Sequence, residues 1–265
     1  MNRPLPARSL THSPTIPGSG TRYISEDGTD TGTMSTFERG VQATGTVDRN
    51  TTKIAGISVG LVTLNVVLMF ALSFTPVAEL GLLAFSNFIL GIVVFGATVG
   101  GGFWLASAGI EKGSMPQAGA GVAVTQFGYS LLGSALLSFL AAGSTRVLAL
   151  GITAVATGVV TALVTVVVFS TDHSFERWQT YSWVCFGGGI VLGVVGVFTT
   201  SLLIVGASVL FFLGFVVDLT YEIWALKENR YASDLRNAIG IYVAVMGVFV
   251  HILQLVIRLL GLLSE

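Results

Sequence analysis

The chain has 265 residues, 52% of them hydrophobic and only 10% charged, with a mean hydropathy of +0.82. A soluble globular domain carries about 25% charged residues, so the composition excludes one and points to an integral membrane protein. A net charge of −1 offers no basic balance for nucleic acid, and the single cysteine, Cys185, excludes a disulfide framework or a paired-cysteine metal site.

Residues 1–50 are rich in Ser, Thr, Gly and Pro, lack a helical period and contain no apolar core of signal-peptide type. They are expected to form a disordered tail, leaving 51–265 as the membrane domain. Asn50-Thr51-Thr52 is a glycosylation sequon that matters only if the tail faces outward.

Seven segments then reach the roughly 20 apolar residues that a bilayer span requires. They lie at 54–74, 80–107, 118–141, 146–170, 179–199, 202–226 and 237–262. The second follows a natural break at Thr75-Pro76, and the fifth and sixth meet in a tight hairpin at Thr199-Thr200-Ser201. The 33 glycines read as positions where helices approach closely in lipid. The fold expected is all-α: an integral membrane bundle of seven transmembrane helices, with the last one central.

Basic residues near the helix ends set the orientation. With the N-terminus inside, Arg49, Lys53, Lys112, Arg177, Lys227, Arg230 and Arg236 fall on the inner side, against Arg146 and Arg258 on the outer. The N-terminus is therefore expected in the cytoplasm and the C-terminus outside a multi-pass cell-membrane protein, which silences the sequon.

Several functional classes drop out. A retinal pigment needs a lysine within its last span, and Lys53, Lys112 and Lys227 all lie at segment ends. P-loop, HExxH and GxSxG motifs are absent, and His12, His173 and His251 are scattered. No catalytic constellation, cofactor site or metal site is visible, so an enzyme is not expected.

Polar residues inside the spans carry what remains. Thr153, Thr157, Thr161 and Thr165 recur every fourth residue as one hydroxyl stripe, which commonly bonds the helix's own carbonyls or a neighbouring helix. Asn65, Asn87 and Gln126 suit interhelical hydrogen bonds. On the last helix Gly240, Ala244, Gly247, His251, Gln254 and Arg258 share one face, small at the inner end and polar at the outer, so that face belongs against the bundle or an aqueous path. Arg258 sits where it can snorkel to the outer interface. Asp218 is the sharpest feature: about 12 Å inside the sixth apolar run at 1.5 Å per residue, its charge costs several kcal/mol unless it is paired, hydrated or protonated. Glu222, one turn nearer the cytoplasm on the same face, is the expected partner. Asp234, at the start of the last helix, is expected to cap it.

The run Phe211-Phe-Leu-Gly-Phe-Val-Val-Asp218, a short charged loop, then Asp234-Leu-Arg-Asn-Ala-Ile-Gly-Ile-Tyr242 and Phe249-Val-His-Ile-Leu-Gln-Leu-Val-Ile-Arg258-Leu-Leu-Gly261 resembles the C-terminal signature of the transmembrane Bax inhibitor motif family. The resemblance covers roughly residues 117–262. It implies seven helices with the last surrounded by the other six, and a passive, pH-sensitive calcium leak linked to protection against stress. The family's sixth-helix aspartate maps onto Asp218, flanked here by Val217 and Leu219. The second aspartate, which shares a proton with the first in bacterial members, falls at Ala244 or Gly240, neither of which titrates. Two carboxylates in one buried site act as a coupled proton switch; Asp218 alone retains only the cost of desolvating its charge.

The function expected is a pH-sensitive cation leak, calcium being the ion the resemblance implies, with Asp218, Glu222 and His251 as ion-pathway or pH-sensing residues and Asp234 and Arg258 secondary. The alternative is a non-conducting stress protein that modulates a membrane protease or assembly. The partners expected are the lipid bilayer, calcium or other cations, and a membrane protein or a second copy of the chain.

Overall fold

A computed structural model describes residues 36–141 and 143–263, so the expected disordered tail lies outside the described residues over 1–35. The chain divides into two compact units, Met1–Gln42 and Ala43–Glu265. Of the first, the described part is the helical stretch from Thr36.

The described residues form nine α-helices and one π-helical turn, with no strand among them. The helices are α1 (Thr36–Leu72), α2 (Val77–Phe85), α3 (Phe88–Phe95), α4 (Gly101–Glu111), α5 (Met115–Ser138), α6 (Gly143–Ser170), α7 (Trp178–Phe198), α8 (Ser201–Lys227) and α9 (Asp234–Leu263). Helix α1 begins at Thr36, so 36–50, read from sequence as lacking structure, is helical. Extension from an apolar helix adds a backbone bond per residue and needs no new nucleus.

Among the described residues seven helical segments are long and apolar enough to cross a membrane: Thr51–Leu72, Phe88–Glu111, Met115–Ser138, Gly143–Ser170, Trp178–Phe198, Leu202–Lys227 and Asp234–Gly261. Six fall within a few residues of the expected spans. The second, expected at 80–107, differs in kind. Asn87 is extended and its side-chain oxygen accepts the amides of Ile89 and Leu90 at 2.9 and 3.2 Å. That cap starts a new helix inside an apolar run, so α2 stands apart and the span begins at Phe88. Asn87 therefore caps a helix instead of bridging two. Further along, Gly96–Gly100 widens into a π turn before α4, where the Thr98 hydroxyl donates to the Val94 carbonyl at 2.7 Å.

Helix α9 is the centre of the bundle. Ala238, Ile239, Tyr242, Ala244, Met246, Val248, Phe249, Val250 and Leu253 are all buried, and a helix apolar on every side belongs in a core. It packs against α4, α5, α6 and α8. Polar bonds run along α1: Lys53 to Asp234 at 2.9 Å, the Ser58 hydroxyl to the Ala238 carbonyl at 3.0 Å, and Asn65 Nδ2 to the Tyr242 hydroxyl at 3.2 Å. Helix α7 packs on α8. Large apolar side chains such as Leu64, Val155, Leu163, Val191 and Phe198 are exposed on the outer helices, and patches of this kind mark the lipid-facing surface.

The two ends of the bundle differ. At the basic end, Arg230 pairs with Glu176 at 2.6 Å, and Lys227 donates to the Val168 and Thr171 carbonyls at 3.1 and 2.7 Å. A cation there suits the negative end of the α6 dipole. Trp104, Trp178, Trp183 and Trp224, all the tryptophans of the chain, lie in the half of their membrane-length spans nearest this end. At the opposite end Arg146 donates to the Leu140 and Ser73 carbonyls at 2.9 and 2.7 Å and stacks over Phe74, tying α1, α5 and α6 together.

Candidate functional site

The site lies where α8 and the first turns of α9 run antiparallel. Asp218 and Glu222 are one turn apart on α8 and so share a face. A methyl group at Gly240 of α9 would overlap the Glu222 carboxylate and the Arg236 guanidinium, and one at Gly247 would overlap the Phe215 ring. These close approaches fix the register: 240 faces 222, 247 faces 215, and Ala244 falls opposite Asp218.

Glu222 is 3% exposed. Its carboxylate accepts from Arg236 in three contacts, Nη1 to Oε1 at 3.4 Å, Nη1 to Oε2 at 3.5 Å and Nη2 to Oε1 at 3.4 Å. The guanidinium stacks between Tyr231 and Phe103, 4.2 and 4.6 Å from their ring centres. Burial, and then the nearby Glu222 charge, pushes the Tyr231 phenol up, so its ring stays neutral and suited to stacking on a cation. The pair neutralises itself. Breaking such a pair by removing one partner costs about 3–5 kcal/mol.

Asp218 is left over. It is half-buried and makes no hydrogen bond or ion pair among the described residues. Its electrostatic neighbours are Glu222, Arg236 and Tyr129. One turn further from the basic end, Phe215 packs against Phe186, His251 and Phe95 with ring centres 4.8, 5.5 and 6.3 Å apart. Phe95 in turn meets Tyr129 at 5.5 Å, and Tyr129 meets Tyr242 at 6.1 Å. The Tyr129 hydroxyl donates to the Val243 carbonyl at 2.7 Å. Asp218 thus lies between the Glu222–Arg236 pair on the side of the basic end and an aromatic layer on the other side.

Beside that layer, Asn65 donates to the Gln126 carbonyl and side-chain oxygen at 2.9 and 2.6 Å, and Gln126 Nε2 donates to the Leu61 carbonyl at 3.0 Å. These two polar side chains do bridge helices, joining α1 to α5.

The chain matches no protein-family model, no curated protein and no solved structure.

The other residues singled out from sequence fall in different places. Glu222 pairs with Arg236 and not with Asp218, because Gly240 lets the guanidinium reach it. Asp234 pairs with Lys53, while the Ser233 hydroxyl accepts the Arg236 amide at 3.4 Å as a cap; a neighbouring lysine outcompetes the helix amides for the carboxylate. His251 Nδ1–H donates to the Gly247 carbonyl of its own helix at 2.8 Å, with Phe211, Phe212 and Phe215 around the ring. Arg258 is exposed at the end away from the site. In the threonine stripe Thr153, Thr161 and Thr165 donate to carbonyls one turn back at 2.7–2.9 Å.

Sequence reasoning missed Arg236 as a site residue. A signal existed: a cation in the first turn of a helix opposes the dipole, so an arginine there calls for an acid nearby. Tyr129 carried no such mark; an isolated tyrosine in an apolar helix is indistinguishable from core.

Proposed function

We propose that the protein is a pH-sensitive cation leak of the cell membrane, with Asp218 as the charged station on the path and the basic end facing the cytoplasm. The observation that carries this is the unpartnered Asp218 carboxylate, placed about nine residues, or roughly 13 Å, inside α8 beside an acid and a base that cancel each other. A charge left uncompensated at that depth is costly and is retained where it serves transport. Calcium is the ion implied by the resemblance to the Bax inhibitor family. A charged Asp218 draws water and cations in beside it, between α8 and α9.

Ion flux through the purified protein in liposomes, measured at several pH values, tests the reading. Asp218→Asn holds the station neutral and is expected to suppress flux across the whole range. With no second carboxylate at Ala244, the wild-type transition should be close to one proton wide, and Ala244→Asp, facing Asp218, should steepen or shift it. Flux unchanged in Asp218→Asn makes Asp218 a packing residue and removes the support for a leak.

A further inference from the structure

The charge count around Asp218 bears on which ion the path handles. Its own helix contributes Glu222, α9 contributes Arg236 and, one turn away beside Phe215, His251, and α5 contributes Tyr129, whose hydroxyl proton is held by the Val243 carbonyl. Of the other helices packed against α8, α7 has no Asp, Glu, Lys, Arg or His, and the one charged residue of α6, Arg146, is bonded at the far end. Glu222 and Arg236 cancel, so one uncompensated negative charge remains, at Asp218.

We propose that the ion passed at Asp218 is the proton and that calcium is excluded. This rests on the leak reading above and narrows it to a substrate. A calcium ion takes about six to eight oxygen ligands, usually with several carboxylates among them. Among the described residues no group of three or more His, Cys, Asp or Glu is placed to hold a metal ion. A divalent ion at Asp218 would leave a net positive charge beside the aromatic layer of Phe215 and Phe95, deep in the apolar bundle, where an uncompensated charge is most costly. A proton neutralises the carboxylate. Hydronium on the basic side gives its proton to a carboxylate oxygen, one O–H bond forming as another breaks and water leaves. The neutral acid then passes the proton onward and the carboxylate returns. Toward the opposite end the next exchangeable groups are the Tyr129 hydroxyl and the His251 ring beside Phe215, which can pass a proton on and offer a calcium ion no negative charge. Protonation of Asp218 is then the transport step itself and not a switch acting on another ion.

The test uses the full chain in liposomes holding either an entrapped pH indicator or an entrapped calcium indicator, with a potassium diffusion potential set by valinomycin. Wild-type protein should pass protons and give no calcium signal at millimolar calcium. Asp218→Asn should reduce proton flux to that of protein-free vesicles, and Asp218→Glu should retain it. Arg236→Gln doubles the negative charge and should admit calcium, whereas Glu222→Gln combined with Arg236→Gln restores a single charge and should exclude it again. Calcium flux through wild-type protein, with or without protons, overturns the proposal while leaving a cation leak intact. Flux of neither ion overturns the proposal and the leak reading together.

Discussion

The close approach of α8 and α9 can be tested at Gly240. In Gly240→Ala the added methyl meets the Glu222 carboxylate and Arg236 Nη1, so either the helices part or the ion pair shifts. Overpacking of this kind costs about 1–3 kcal/mol. The pair's contacts, already long at 3.4–3.5 Å, would lengthen further and forfeit part of the roughly 3–5 kcal/mol attached to a buried pair. Against this stands a gain of about 0.5–1 kcal/mol for replacing glycine by alanine within a helix. The balance is a loss of about 2 kcal/mol. For a chain of this size that corresponds to a fall of about 4–8 °C in Tm, measured by thermal unfolding in detergent. Gly206 on α8 supplies the control, since nothing lies within 4 Å of its added methyl, and Gly206→Ala should leave Tm unchanged or raise it slightly. Equal stability of the two variants would refute the close packing of α8 on α9 and, with it, the register that sets Ala244 against Asp218.

The other predictions are briefer. A reporter fused after Glu265 should be accessible only from outside the cell and one inserted at Gly113 only from inside; a cytoplasmic signal from the C-terminal fusion would mean that the last span does not cross. His251→Gln keeps a donor for the Gly247 carbonyl and removes titration, so the pH response of flux should be unchanged and stability should alter by less than about 1 kcal/mol. A shifted pH profile in that variant would move the sensor from Asp218 to His251.

Much of the fold could be read from the sequence because apolar length alone decides most spans. The runs at 146–170 and 202–226 contain nothing that competes with a helix. The misplaced start of the second span shows the limit of that rule: Ser86-Asn87 is too short to lower the hydropathy of its surroundings, yet one side-chain cap is enough to end α2 and begin α3. The site was legible in part for a related reason. Asp218 stands out because a charge in an apolar run is visible without knowing its surroundings. The Glu222–Arg236 pair depends on how α8 and α9 come together around the loop at 228–233, where Asn229 adopts a left-handed conformation, and on the missing side chain of Gly240. No spacing rule along one helix contains that information.

Because every tryptophan lies toward the basic end, the intrinsic fluorescence of the protein originates near one leaflet. A brominated or spin-labelled lipid confined to that leaflet should quench most of the emission, and the same lipid in the other leaflet should leave it nearly untouched. Reconstituted vesicles therefore report their own sidedness without any attached label. The fraction of molecules inserted in each direction can be read in the same sample in which flux is recorded.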